Sequence, residues 1–227
     1  MKLFFRLSAA CLVALLFCAS AIPAFAADAA AKAVQKRYAS IQTMRSSFTQ
    51  TLLHKESGGK EERTGMLYFA KPLNVRWETK TPAPELLVVT DAIIWNVFPD
   101  EGVAYMYAPK LVEDSRNIMR VITGQSPLDK DFFIENKGKD GGLIKLLLIP
   151  KEPTQALVEA TIWVDGVSGF IKRALIVDFY YNQNDILFTE QRIDETFPST
   201  VFSYKPPASM KVEDRTTGGS AKKPLMR

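Results

Sequence analysis

The chain has 227 residues, 47% of them hydrophobic and 24% charged, with 29 basic against 25 acidic side chains and a formal charge of +4. That length holds one domain with a core of its own, and no stripe of Lys and Arg with interleaved aromatics points to nucleic acid. The only cysteines, Cys11 and Cys18, lie so early that everything after them lacks thiolate metal sites, disulfides and a cysteine nucleophile.

Residues 1–26 combine Lys2 and Arg6, an apolar run over 7–21, and Ala24-Phe25-Ala26. This is the pattern of a secretory signal peptide. A membrane anchor is the competing reading, but the run is shorter than the roughly 20 residues a spanning helix needs. Cleavage would leave 27 basic against 25 acidic residues, a nearly neutral, thiol-free, secreted and soluble chain. Residues 27–213 are then expected to form a single domain, and the polar, Gly- and Lys-rich 214–227 a disordered tail.

Residues 29–44, AAAKAVQKRYASIQTM, carry Ala33, Val34, Tyr38 and Ile41 near helical spacing and predict an amphipathic helix. SSFTQTLLH (46–54) reads as a strand and the charged KESGGKEER (55–63) as a loop. Residues 63–98 hold four short apolar runs broken by Lys71-Pro72, Thr81-Pro82-Ala83-Pro84 and Asp91. They predict an antiparallel meander, in which Val75 and Trp77 share a face because side chains alternate across a strand.

After a turn over 99–102, VAYMYA (103–108) is a further strand. A second helix is expected before Gly124, with Glu113 and Asp114 near its start and Ile118, Met119, Val121 and Ile122 on its apolar side. It is either a core-packing helix or a movable lid. Strands then follow at 131–136, 143–150, 156–165, 170–181 and 185–193, with a last short one at VFSY (201–204). Hairpin turns are expected at 165–169 and 182–185. Leu175, Val177 and Phe179 share one face by alternation.

His54 is the only histidine and has no partner in sequence for metal or nucleophile chemistry. Glu61-Glu62, Glu113-Asp114 and Glu213-Asp214 lie in charged runs rather than on apolar strands, where carboxylates are ordinarily solvated. Catalytic, nucleotide and metal motifs are absent. No cofactor is expected, and an enzyme is the poorer reading. The residues favour a strand domain with helices over one side, suited to an apolar ligand but equally to a packed barrel.

The ordered set Phe48-Thr49-Gln50, 65–72 (GMLYFAKP), Val75-Arg76-Trp77-Glu78, Val88-Val89-Thr90-Asp91 with Trp95, Leu148-Ile149-Pro150, Asp165-Gly166 and 202–207 (FSYKPP) resembles the periplasmic outer-membrane lipoprotein carriers, the LolA family. The resemblance implies a mainly β fold, an incomplete antiparallel β-barrel covered by lid helices. It implies a carrier that takes acylated lipoproteins from an inner-membrane ABC transporter complex to an outer-membrane acceptor. Leu67, Phe69, Val75, Trp77, Leu87, Val89, Trp95, Leu175, Val177 and Phe179 are then expected to line the acyl cavity. Ile118, Met119 and Ile122 would belong to the lid, and Lys71 would hold it where the family often has Arg. Asp91-Ala92 departs from the family's Asp-Gly turn. The alternative is a lipid- or lipoprotein-sensing regulatory module of the same half-barrel.

Overall fold

A computed structural model of the chain describes residues 22–109 and 128–217, with side chains from residue 29. The elements are α1 (Ile22–Ser40), β1 (Thr43–Leu53), β2 (Lys60–Ala70), β3 (Asn74–Thr81), β4 (Glu85–Val89), β5 (Ile94–Phe98), β6 (Val103–Tyr107), a helical turn α2 (Leu128–Asp131), β7 (Phe132–Asp140), β8 (Leu143–Pro150), β9 (Glu159–Val164), β10 (Ile171–Val177), β11 (Gln183–Ile193) and β12 (Lys211–Asp214). The twelve strands form one sheet in the order β12-β6-β5-β4-β3-β2-β1-β11-β10-β9-β8-β7. Only β12 runs parallel to its neighbour. Among the described residues the two ends of that order are not paired, so the sheet is open: a mainly β half-barrel.

Strict alternation builds this sheet. In β1, Met44, Ser46, Phe48, Gln50 and Leu52 are buried and the residues between them are not, because one face meets the core and the other the outside. The buried residues of α1 (Ala30, Ala31, Val34, Tyr38), the inward residues of β1 to β11 and Leu128 of α2 join in a single core cluster. The sheet curls about α1, which is bonded on one side to the β9–β10 turn through Arg37 and Ser168 and on the other to the end of β2 through Ala39 and Lys71.

Three contacts fix the helix beside its apolar face. Arg37 Nε donates to the Ser168 carbonyl at 2.5 Å, the Ile171 N–H donates to the Tyr38 hydroxyl at 3.3 Å, and Gln35 reaches Asp129 at 3.0 Å. Burial pushes the Tyr38 phenol well above its usual pKa, with the Ile171 bond a smaller opposing influence. Gly169 (φ +73°) lies directly under α1, where a Cβ would fall 2.6 Å from the Ala33 carbonyl oxygen.

The elements differ most from the sequence reading in four places. Helix α1 begins at Ile22, among residues read as the signal peptide, and ends at Ser40; Thr43 and Met44 belong to β1. Lys60 to Arg63 are not loop but the start of β2, paired with Leu53 to Gln50. The turn after β10 is not at 182–185 but at 178–182, because Asp178 accepts from the Tyr180 and Asn182 N–H groups and closes the chain there. VFSY is not a strand: residues Ser199–Phe202 form a 3-10 turn, and the last strand is β12, formed where the chain returns beside β6.

Between β11 and β12 the chain crosses the outer face. Phe197 packs on Tyr68 with ring centroids 5.7 Å apart, and Tyr204 packs on Trp95 at 5.6 Å. There Leu86, Val88, Val97 and Ala104 form a second cluster with Trp95, Tyr204 and Met210.

Candidate ligand-binding face

The inner face of β2, β3 and β4 is apolar because its alternate positions carry Leu67 and Phe69, Val75 and Trp77, and Leu87 and Val89. All six are at most 4% exposed. Register places Phe69, Val75 and Val89 side by side across three strands, with Leu67, Trp77 and Leu87 in the next row. Trp77 stacks on Phe48 at 4.2 Å and meets the edge of Phe188 at 6.4 Å. These aromatics join the β1 and β11 side of the curl to the meander.

Gly65 makes the Phe48 contact possible. A Cβ there would fall 2.0 Å from the Glu78 carbonyl oxygen and 2.6 Å from Phe48 Cζ.

Toward the end of the strands away from α1, the same face turns polar. Gln50, Arg63, Thr79 and Glu85 line a recess with Trp77 and Leu87, too narrow in this state to hold water. Arg63 Nη1 meets Glu85 Oε2 at 3.0 Å and Arg63 Nε meets Glu61 Oε1 at 2.7 Å, so the guanidinium lies between two carboxylates. Gln50 Nε2 donates to Asn184 Oδ1 at 2.9 Å. The sequence reading missed this layer and took Glu61 as solvated charge. Its signal was parity: Arg63 stands two and four residues before Gly65 and Leu67, on the same face.

The structure brings together six of the ten residues expected to line a cavity, the six named above. Trp95 points the other way, because Ile94, Asn96 and Phe98 hold the inward positions of β5. Leu175 and Val177 also lie on the outer face, with Ala174 and Ile176 turned inward. The cause is a register shift between Ile171 and Arg173: Ile171 and Ala174 both face the core three residues apart, and such a bulge reverses the parity of all that follows. Phe179 falls beyond the end of β10, in the turn. Ile118, Met119 and Ile122 lie outside the described residues.

Lys71 stands at the end of β2, where its Nζ donates to the Ala39 carbonyl in the last turn of α1. Its own N–H donates to the Gln42 carbonyl at 2.9 Å. A cation at a helix C-terminus meets the carbonyls that the helix leaves unpaired.

The family model for the outer membrane lipoprotein carrier protein LolA matches residues 39–205, a span that holds every strand but β12. The chain belongs to the LolA family. Among curated LolA relatives, the outer-membrane lipoprotein carrier protein of Chromobacterium violaceum is 27% identical over 207 residues, covering 86% of this chain and 94% of that one. That of Vibrio cholerae is 28% identical over 206 residues, covering 89% and 97%. An uncharacterized conserved protein from Thermus thermophilus shares the fold at a TM-score of 0.54 and 14% identity, over 84% of this chain and 99% of its own. Within the matched LolA span lie both the apolar inner face and Lys71.

Proposed function

We propose that this chain is exported, loses residues 1–26, and carries the acyl chains of lipoproteins through the periplasm from an inner-membrane ABC transporter complex to an outer-membrane acceptor. The observation that carries the reading is the inner face: six large apolar side chains in two cross-strand rows, in one core cluster with the buried side of a helix, in a chain of the lipoprotein carrier family. These residues pack against one another and share one core cluster with the buried residues of α1, so an acyl chain enters only as that core opens. Lys71 would hold the closed position.

Energetics favour a face of this kind. Three chains of about fourteen methylenes, at about 0.8 kcal/mol each, would represent roughly 34 kcal/mol if withdrawn from water. Noncovalent affinity saturates near roughly 20 kcal/mol. The exchange is therefore membrane for protein, nearly balanced, and self-packing of the empty face weakens binding enough to permit release. Loading then needs an energy source outside this chain, as an ABC transporter supplies.

The test pairs two substitutions of one kind on opposite faces. Val75→Glu puts a carboxylate into the inner rows and should abolish binding of a hydrophobic dye and of acylated peptide; Val177→Glu, on the outer face, should leave both intact. Mass spectrometry of species co-purifying with the parent protein should find acylated protein. Equal binding by the two variants, or co-purification of free lipid only, overturns the reading.

A further inference from the structure

The β10–β11 turn presents Phe179, Tyr180 and Tyr181 side by side, exposed by 61%, 62% and 67%. Large apolar side chains in that number on one turn are uncommon on a surface that meets only water. The Phe179 and Tyr180 rings stand at 89° with centroids 5.5 Å apart, so they cover a convex knob rather than a flat patch.

The backbone donors of the turn are used internally. The Phe179 N–H donates to the Gln155 carbonyl at 2.9 Å and the Tyr181 N–H to the Asp178 carbonyl at 3.0 Å. The Tyr180 and Asn182 N–H groups donate to Asp178 Oδ1 at 2.8 and 2.9 Å. The Asn182 side chain is held as well, by Asp178 Oδ2 at 2.8 Å and by the Lys55 N–H at 3.0 Å. Four consecutive backbone N–H groups thus have partners within the protein, the condition for a segment to leave water without losing hydrogen bonds.

Tyr181 adds a separate observation. Its φ is +62°, a left-handed conformation that Gly or Asn adopts with less strain. Packing does not account for a tyrosine there, since the side chain is largely exposed.

We propose that the Phe179-Tyr180-Tyr181 tip is a bilayer-docking element, which sets its rings at the boundary between lipid headgroups and acyl chains. A convex, donor-satisfied knob suits a soft medium that closes around it. Phe supplies the apolar end, and the two Tyr side chains combine an apolar ring with a hydroxyl that stays among the headgroups. The tip carries no cation of its own, so docking is apolar in origin and does not select anionic lipid.

Flotation of the protein with vesicles of zwitterionic phosphatidylcholine, without cargo, tests this. The parent should float, and Phe179→Ser/Tyr180→Ser/Tyr181→Asn should lower the bound fraction at least about tenfold, equally at about 0.1 M and about 1 M salt. Tyr181→Asn alone keeps the left-handed turn and should also bind less, with a melting temperature no lower than the parent's. A parent that stays in the aqueous fraction, a Tyr181→Asn variant that floats as well as the parent, or binding that high salt removes overturns the proposal. Because no cargo is present, the outcome is independent of what the inner face carries.

Discussion

Removing the Lys71 ammonium while keeping its stem, as in Lys71→Met, takes away the donor to the Ala39 carbonyl and leaves the apolar packing of α1 in place. A hydrogen bond to a charged group contributes roughly 1.5–3 kcal/mol, but Lys71 is partly open to solvent, and screening brings the figure down to about 1 kcal/mol. Its interaction with the end of the helix dipole falls within the same figure. Arg37, Tyr38 and Gln35 still hold the helix, so α1 stays docked while its opening equilibrium shifts about fivefold, as about 1 kcal/mol requires.

Hydrogen exchange of the α1 amides should speed up by that factor while the strand amides of β1 and β2 exchange as before. Stopped-flow uptake of a hydrophobic dye should accelerate in parallel, and Lys71→Arg should exchange no faster than the parent. Unchanged α1 exchange in Lys71→Met would show that the side chain is an ordinary strand-end cation and refute the latch.

Leu67 is fully buried in the inner rows, and Leu67→Ala should cost roughly 2–5 kcal/mol, seen as a lower urea midpoint with an unchanged slope; a loss under about 1 kcal/mol would mean the face is loosely packed. Gly65→Ala drives a methyl into the Glu78 carbonyl and the Phe48 ring, which should cost at least the roughly 1–3 kcal/mol of an overpacked site and lower the melting temperature; an unshifted melt would contradict the close approach of β2 and β3. Asp165 is held below its usual pKa first by the Ser168 N–H and then by the Ser168 hydroxyl. Its contribution to stability is therefore complete above the unfolded value near pH ~4 and lost as pH falls through the lower folded value, so Asp165→Ala should flatten the acid side of a stability-against-pH curve, and parallel curves would refute that.

The meander was legible because its strands are half-buried and obey the two-residue period, which is why Val75, Trp77 and their neighbours fall on the face their spacing implies. Leu175 and Val177 were not, because a bulge leaves no mark in residue type: Lys172 and Arg173 look like one exposed position and one buried one, and only the pairing with β9 shows the extra residue. The Arg63 and Glu85 pair was legible in part. Parity puts Arg63 inward, but its partner comes from β4, two strands away in the sheet. The last strand escaped for another reason, since Lys211 to Asp214 alternate no apolar residues and are strand only because β6 offers an edge. The signal for the turn after β10 lay in Asp178 itself, an acceptor placed to cap the residues that follow, rather than in the Asn-rich stretch after it.

The central pairing joins the two ends of the domain. Phe48 of β1 faces Phe188 of β11, and Ser46 Oγ reaches the Thr189 carbonyl across 143 residues of chain. The ladder that joins the two halves of the sheet forms only once β11 has been made, so the fold cannot be completed while the carboxyl-terminal quarter is still being made. Non-local pairing of this kind closes a long loop before any contact rewards it and makes folding slow. A nascent chain thus completes its sheet only after most of it has been synthesised.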